Sequence, residues 1–150
     1  MTSDVVVRRA TFADLDEVAA LFDDYRAFYH RPRDAPAARA YLQARISRDE
    51  STIFVACLDH VVGFTQLYPA FSSISMAPTM ILNDLFVAPR ARRRGAAKLL
   101  IDAAVHHAKQ SGAVRLELAT QNANDSAIRL YLAMGFVPDH EFMHMSLELR

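Results

Sequence analysis

The sequence is poor in the residue types that mark disulfide-rich, disordered and membrane-spanning chains. Only one of its 150 residues is cysteine, Cys57, which excludes an internal disulfide framework and predicts a reducing, cytoplasmic location. Four glycines and six prolines, beside a hydrophobic fraction of 52%, argue against extensive disorder. No apolar run approaches the roughly 18 residues needed to span a bilayer. We therefore expect residues 1–150 to form a single domain.

An excess of charge of either sign is also missing. The formal net charge is +0, so neither nucleic acid nor an anionic membrane is an expected partner. The charges are nevertheless clustered, with acids near the start of the chain and bases in its middle. The acids are Asp14, Asp16, Glu17, Asp23 and Asp24, and the bases are Arg90, Arg92, Arg93, Arg94 and Lys98. The acidic cluster is equally well explained as a solvated helix face, whereas the basic cluster abuts a glycine at a predicted helix start, which favours a function.

The hydrophobic pattern predicts strands alternating with helices. The predicted strands are residues 5–9, 51–58, 61–68, 79–87, 114–119 and 142–149, with a loop at 69–78. Helices are predicted from Thr11 to Tyr29, from Asp34 to about Arg48, from Gly95 towards Gly112, and over residues 125–134. This order indicates an α/β protein whose mixed sheet is covered by helices.

The segment Arg92–Ala97 has the features of an anion-binding helix start. The first N–H groups of a helix have no partners within the helix, and the helix dipole favours an anion there. Gly95 allows a close approach of the backbone, Ala97 keeps the next turn small, and the arginines add charge-assisted contacts to phosphate. The segment lacks the Gly-Lys-Ser/Thr end of an ATP-binding P-loop. A basic helix start at the surface explains the segment equally well when it is considered alone.

Asn124 and Tyr131 form a second candidate group. They lie seven residues apart and therefore share one helix face, about 10 Å apart along its axis. An asparagine can pair with an amide, and a phenol can donate a proton to a leaving thiolate. Taken singly, Asn124 is also explained as a helix N-cap and Tyr131 as a core tyrosine. Together with the basic segment, they predict acyl transfer from a coenzyme A thioester.

Three motifs in combination resemble the GNAT superfamily of N-acetyltransferases. They are Leu85-Phe86-Val87-Ala88-Pro89, Arg92-x-x-Gly95-x-Ala97, and Asn124-x-x-Ala127-x-x-Leu130-Tyr131-x-x-x-Gly135-Phe136. The resemblance implies a central, mostly antiparallel sheet of six to seven strands, with a parallel splayed pair at the cofactor site and about four flanking helices. It also implies a homodimer, for which the final strand is a plausible exchange element.

The resemblance further implies a role for each motif in binding acetyl-CoA. The cofactor would lie between the strand ending at Val87 and the strand ending near Ala119. The backbone at Phe86 and Val87 would hold the pantetheine, Asn124 would contact the cofactor, and Tyr131 would be the general acid. The pyrophosphate would be held by the amides of Arg92, Arg93, Arg94, Gly95, Ala96 and Ala97.

Residues 81–87 look closest to the small-amine, polyamine and histone acetyltransferases. Polyamine enzymes have a glutamate where this chain has Asn83, so Asp84 is the remaining carboxylate on that strand. A substrate-side role for Asp84 and a structural role are both open.

The acceptor is expected to be a small, cationic primary amine, because the first two helices, which carry the acids, line the acceptor pocket in the family. A protein acetyltransferase and a non-catalytic CoA-binding module are the alternatives. No metal is expected, because nothing supplies a third ligand beside His140 and His144.

Overall fold

The computed structural model describes residues 4–150, which form two compact units, one ending at Ala119 and the other covering Thr120–Arg150. The larger unit contains one five-stranded sheet and three α-helices. Its strands are β1 (Val6–Arg9), β2 (Thr52–Cys57), β3 (Val61–Ser72), β4 (Ala77–Val87) and β5 (Leu116–Glu117). Its helices are α1 (Leu15–Phe28), α2 (Ala35–Ser47) and α3 (Ala96–Gln110), and the smaller unit contains α4 (Asp125–Ala133). Every helix within residues 4–150 is too short or too polar to pass through a bilayer.

Local side-chain chemistry fixes where the helices of the larger unit begin. Thr11 and Asp14 form a capping box, in which the Thr11 N–H donates to Asp14 Oδ2 at 2.8 Å. Asp34 caps α2 by accepting the N–H of Ala37 at 3.2 Å. Gly95 is the N-cap of α3, with a φ of 79°. All three predicted helix starts are confirmed, because each depends only on neighbouring residues.

The sheet is antiparallel from β1 to β4 and ends in one parallel pair, β4 with β5. That pairing is confined to Met80 opposite Leu116 and Ile81 opposite Glu117. From Leu82 to Val87, β4 continues without β5 beside it. The predicted parallel pair is therefore present in the larger unit, and its pairing ends at Ile81 and Glu117.

Two apolar clusters lie on opposite faces of this sheet. Successive strand residues point to opposite faces, so Phe86 packs against α1 and α2 while Val87 packs against α3. The first cluster includes Phe22, Leu42 and Phe64, and the second includes Ala56, Val62 and Leu100. The helices are thereby held firmly against the strand that carries the candidate site residues.

The prediction of six to seven strands is wrong for residues 4–150, in which five strands form. The predicted strand 114–119 is reduced to Leu116–Glu117, and residues 142–149 form no strand. The last segment has the alternating pattern of a strand, but an alternating pattern produces a strand only where another strand supplies hydrogen bonds. Its alternate apolar side chains, Met143, Met145, Leu147 and Leu149, are 84–89% exposed.

The predicted loop at 69–78 is also wrong. β3 and β4 continue their antiparallel pairing through Pro69 opposite Met80 to Ser72 opposite Ala77, so only residues 73–76 turn. Serines and prolines in this stretch favour a turn locally, but cross-strand pairing outweighs that preference.

Candidate active site

A β-bulge in β4 places two polar side chains at one cavity. Gln66 of β3 pairs with Asp84, and the next residue, Leu67, pairs with Leu82, so Asn83 is the extra residue. Consecutive strand residues normally point to opposite faces, but a bulge re-aims them. Both Asn83 and Asp84 consequently line the same cavity.

The cavity lies within the larger unit and has a volume of about 560 Å³. Its wall is formed by α1, the segment before α2, α2 itself, β3 and β4. Phe22 and Ala38 supply apolar surface, while Tyr41 and Tyr68 supply hydroxyl groups. A cavity of this volume with a few convergent polar groups suits a small molecule.

Asp84 is a buried carboxylate in the wall of this cavity. Its side chain accepts hydrogen bonds from Gln66 Nε2 at 2.8 Å and from Asn83 Nδ2 at 3.3 Å, and the residue is 5% exposed. Burial raises the pKa of Asp84, and hydrogen bonds from Gln66, Asn83 and Tyr25 only partly oppose that rise. A carboxylate with increased proton affinity in a cavity has the properties of a general base.

Tyr41 and Tyr68 form a hydrogen-bonded pair of phenols in the cavity wall. Their hydroxyl oxygens are 2.6 Å apart, and burial together with this hydrogen bond raises the pKa of Tyr68. One hydroxyl proton is used in the bond between them, so the pair retains one proton that it can donate to a ligand. The sequence analysis missed both tyrosines and also Gln66. The polar pair Thr65-Gln66, inside an otherwise apolar run, was the available signal.

The acidic cluster near the start of the chain does not line this cavity. Each of its carboxylates has a partner that holds α1 in place. The contacts are Asp14 with Arg8 at 2.7 Å, Asp16 with Arg39 at 2.6 Å, Glu17 with the Val61 N–H at 2.9 Å, Asp23 with the Asp34 N–H at 2.8 Å, and Asp24 with Arg33 at 2.7 Å. Contacts that stabilise the fold therefore account for all five acidic residues.

The start of α3 has the geometry of an anion cradle. Arg93 and Gly95 both adopt left-handed backbone conformations, with φ of 65° and 79°. Such a conformation is uncommon for arginine, and a chain of this shape turns successive N–H groups into one concave surface. Within residues 4–150, no hydrogen bond is donated by the N–H groups of residues 93–98. A Cβ added at Gly95 would have no atom within 4 Å, so space does not explain the glycine; its left-handed φ does.

The side chains at this helix start match the cradle in charge. Arg92, Arg93, Arg94 and Lys98 are exposed, and the first turn of α3 contains no acidic residue. Arg92 Nε donates to the carbonyl of Val87 at 3.1 Å, and its guanidinium lies 5.8 Å from the Phe86 ring centre. The free amides and the cations together fit the diphosphate of coenzyme A. Among the described residues, β5 pairs with β4 only as far as Ile81, so main-chain groups on that edge near Phe86 are available for the amides of pantetheine, while the Val87 carbonyl is already bonded to Arg92.

Asn124 and Tyr131 belong to the smaller unit and share α4. Asn124 caps this helix, because its Oδ1 accepts the Ala127 N–H at 3.4 Å. Tyr131 is half-buried, with its ring 5.7 Å from that of Phe136. Gly135 has a φ of 99°, and the Phe136 N–H donates to the Tyr131 carbonyl at 3.0 Å, so a left-handed cap ends α4. Their roles toward the cofactor stay predictions.

In the part of the chain that the structure describes, the remaining nucleophilic and metal-ligating side chains form no second site. Burial raises the pKa of the half-buried Cys57 thiol, so the reactive thiolate is disfavoured. Among residues 4–150, no group of three or more His, Cys, Asp or Glu side chains could hold a metal ion.

An antiparallel sheet that opens at a parallel pair, an anion cradle at the next helix start and a cavity with a buried carboxylate define an N-acetyltransferase. The chain belongs to the acetyltransferase (GNAT) family, whose model matches residues 18–136. This finding confirms the predicted family and an acetyl-CoA-dependent N-acetyltransferase activity.

Individual proteins are similar over most of the chain. An uncharacterized N-acetyltransferase, YhfO, of Bacillus subtilis (strain 168) is 44% identical over 95% of this chain and 97% of its own length. A probable acetyltransferase of Haemophilus influenzae is 29% identical over 71% of this chain and 75% of its own. A crystal structure of a probable acetyltransferase has a TM-score of 0.92 and 38% identity, covering 97% of this chain and 98% of that one. None of these three names specifies an acceptor.

Proposed function

We propose that residues 1–150 act as one N-acetyltransferase domain that transfers the acetyl group of acetyl-CoA to a primary amine of a small acceptor. The acceptor binds as an ammonium cation and attacks directly, in a ternary complex. The observation that carries this proposal is the buried carboxylate of Asp84 in a cavity of about 560 Å³. The unpaired cysteine, Cys57, supports a reducing, cytoplasmic location.

Proton removal from the acceptor is the role of Asp84. An alkylammonium has a pKa near ~10 in water and cannot attack until it loses a proton. Burial lowers the pKa of an ammonium and raises that of a carboxylate, so the cavity brings the two proton affinities closer together. Gln66 and Asn83 donate to the Asp84 carboxylate and hold it in one orientation.

The remaining roles follow from the family resemblance. Acetyl-CoA, when bound, supplies the acetyl group as a thioester. The backbone of residues 92–97 binds its diphosphate, the main chain at Phe86 and Val87 binds its pantetheine, and Asn124 contacts it as well. Backbone N–H groups near the end of β4 polarise the thioester carbonyl. As the amine nitrogen bonds to the acetyl carbon and the carbon–sulfur bond breaks, Tyr131 would donate its proton to the sulfur. The nitrogen loses its second proton as it becomes an amide, and that proton restores the Tyr131 phenol through solvent.

A protein acetyltransferase acting on a lysine or N-terminal amine is the alternative enzyme. The small volume of the cavity and its tyrosine-lined wall favour a small acceptor instead. A non-catalytic CoA-binding module is the other alternative. Such a module would not need a buried carboxylate with a raised pKa in β4, because burial of an ionised carboxylate lowers the stability of the fold.

We also propose that the protein is a homodimer in which residues 142–149 bind a second copy of this chain. The exposed alternation of Met143, Met145, Leu147 and Leu149 is typical of a strand with one buried face. Soluble proteins rarely leave such a face in water, and the family resemblance implies a second copy as its partner. Sedimentation at micromolar concentration should return the mass of two chains. One chain's mass would contradict this proposal.

The enzymatic proposal is tested by thiol release from acetyl-CoA with a panel of amines and peptides. We expect turnover with small amines, and a kcat about 100-fold lower for Tyr131→Phe because the leaving sulfur loses its proton donor. Tyr29→Phe removes a phenol at the end of α1, outside the cavity, and serves as the matched control. Tight CoA binding without turnover of any amine or peptide would instead favour the binding module.

A further inference from the structure

Four charged side chains line the cavity, and two of them are compensated within the protein. Arg33 Nη1 lies 2.7 Å from Asp24 Oδ1 and 3.4 Å from Asp23 Oδ2. Asp34 has no cationic partner among the described residues, but it caps α2 by accepting the Ala37 N–H, and the positive end of the helix dipole offsets its charge there. Within the described part of the chain, Asp84 and Arg26 have neither an ion pair nor a helix start beside them, so their charges are the two left for a ligand.

Arg26 is held at the cavity without an anionic partner. Its Nη1 donates to the carbonyl of Pro32 at 3.3 Å, and within residues 4–150 no carboxylate lies at ion-pair distance from it. The residue is half-buried, so its charge is only partly hydrated. A guanidinium has five N–H donors in a planar fork and matches a carboxylate or phosphate in two-pronged contacts. The neutral carbonyl of Pro32 uses only one of these donors.

The two unbalanced charges have opposite signs, which constrains the acceptor. A simple diamine would place one ammonium at Asp84 and bring its second cation into a cavity that already contains Arg26. An acceptor with an amine and an anionic group complements both charges. The donor proton of the Tyr41–Tyr68 pair offers the anion a further hydrogen bond.

We propose that the acceptor carries an anionic group, a carboxylate or a phosphate, in addition to its reacting amine, and that Arg26 binds that group. The proposal rests on the proposed acetyltransferase function and names its substrate class. Amino acids and amino-sugar phosphates are the two sources of this chemistry that the test separates. The reacting amine lies at Asp84 in either case.

The test compares amines that differ only by the anionic group. The pairs are ornithine with putrescine, lysine with cadaverine, phenylalanine with phenethylamine, and glucosamine 6-phosphate with glucosamine. For at least one pair we expect the anionic member to have a kcat/KM about 10-fold higher, because it adds a charge-assisted contact. Preference within the amino-acid pairs identifies a carboxylate, and preference within the sugar pair identifies a phosphate.

Arg26→Gln separates recognition from folding, because glutamine can still donate to the Pro32 carbonyl. We expect this variant to raise KM for the anionic amine of the pair about 10-fold while kcat changes less than twofold. The kinetic constants for the amine that lacks the anionic group should not change. Arg31→Gln removes a nearby exposed arginine that does not line the cavity and should change neither substrate. Equal kcat/KM within every pair, or equal losses for both members in Arg26→Gln, would overturn the proposal.

The role of Arg26 can be tested by binding even if no amine is acetylated. Absence of thiol release with every compound counts against the proposed function. Calorimetric binding of the same pairs then tests Arg26 directly: tighter binding of the anionic member to the wild type, abolished in Arg26→Gln, supports the assignment. Equal affinities for the two members of every pair, or equal affinities of the wild type and Arg26→Gln for the anionic member, would refute it.

Discussion

The proposed cofactor cradle and the proposed acceptor cavity are built from different parts of the chain. The cradle is continuous in sequence, from Phe86 to Lys98, and its contacts are offered mostly by main-chain N–H groups and exposed arginines. The cavity is assembled from side chains as distant as Arg26 and Asp84, supplied by two helices, the segment that joins them and two strands. A local backbone feature can bind a constant group such as a diphosphate, whereas an assembled side-chain surface can be changed one residue at a time to select an acceptor.

Asp84 gives the strongest test of this contrast, because it lies on the cofactor strand yet serves the cavity. Asp84→Asn keeps the shape but cannot accept a proton, so we expect kcat/KM for the amine to fall by about 10²–10⁴-fold. The Kd for CoA should change less than twofold. Initial rates with acetyl-CoA and isothermal titration with CoA measure the two quantities.

The pH dependence of the rate sharpens the assignment of Asp84. Because burial raises the pKa of Asp84, the carboxyl is protonated and inactive below that pKa, and wild-type activity should rise as the pH passes through it. In Asp84→Asn this limb should disappear. Asn83→Asp in the Asp84→Asn background should restore part of the rate, since both side chains line the same cavity. Unchanged activity in Asp84→Asn would leave Asp84 with a structural role only.

Gly95 tests the cradle in isolation. Valine is strongly disfavoured at a φ of 79°, whereas asparagine tolerates it. We expect Gly95→Val to raise the Kd for CoA about 10-fold by displacing the free amides, and Gly95→Asn to raise it less than threefold. Equal losses of CoA affinity in the two variants would show that binding requires the absence of a side chain at position 95, and not the left-handed backbone. The amine KM should be unaffected in Gly95→Asn.

The same contrast explains which features could be predicted from the sequence. The caps at Thr11, Asp34 and Gly95 depend on residues a few positions away, so local chemistry was sufficient for them. The cavity depends on the register between β3 and β4 and on the bulge at Asn83, neither of which leaves a local signal. The parallel pairing is limited to Met80 opposite Leu116 and Ile81 opposite Glu117, so β5 is likewise shorter than predicted. A strand at 142–149 requires a partner strand that its own sequence does not specify.

The smallest expected effect concerns the stability cost of Asp84. Gln66 Oε1 is buried without a hydrogen-bond partner in the described residues, and an asparagine at position 84 could donate to it if the Gln66 amide turned over, in exchange for the present bond from Gln66 Nε2. The number of hydrogen bonds would then stay the same while a buried charge is removed. We expect Asp84→Asn to raise Tm at pH 7 by about 2–4 °C, which corresponds to roughly 1 kcal/mol in a chain of this size. Asp102→Asn, at an exposed position of α3, is the control and should leave Tm unchanged.

The sign of the pH dependence follows from the raised pKa. The folded protein holds the Asp84 proton more tightly than the unfolded chain, whose pKa is near the ordinary 3.8. The stability associated with this group is complete below that value and is lost as the pH rises through the folded pKa. The advantage of Asp84→Asn should therefore shrink at pH 4, where a protonated Asp84 can itself donate to Gln66. A variant that is less stable than wild type at pH 7 would mean that the ionised carboxylate stabilises the fold, and its position in the cavity would then have a structural explanation.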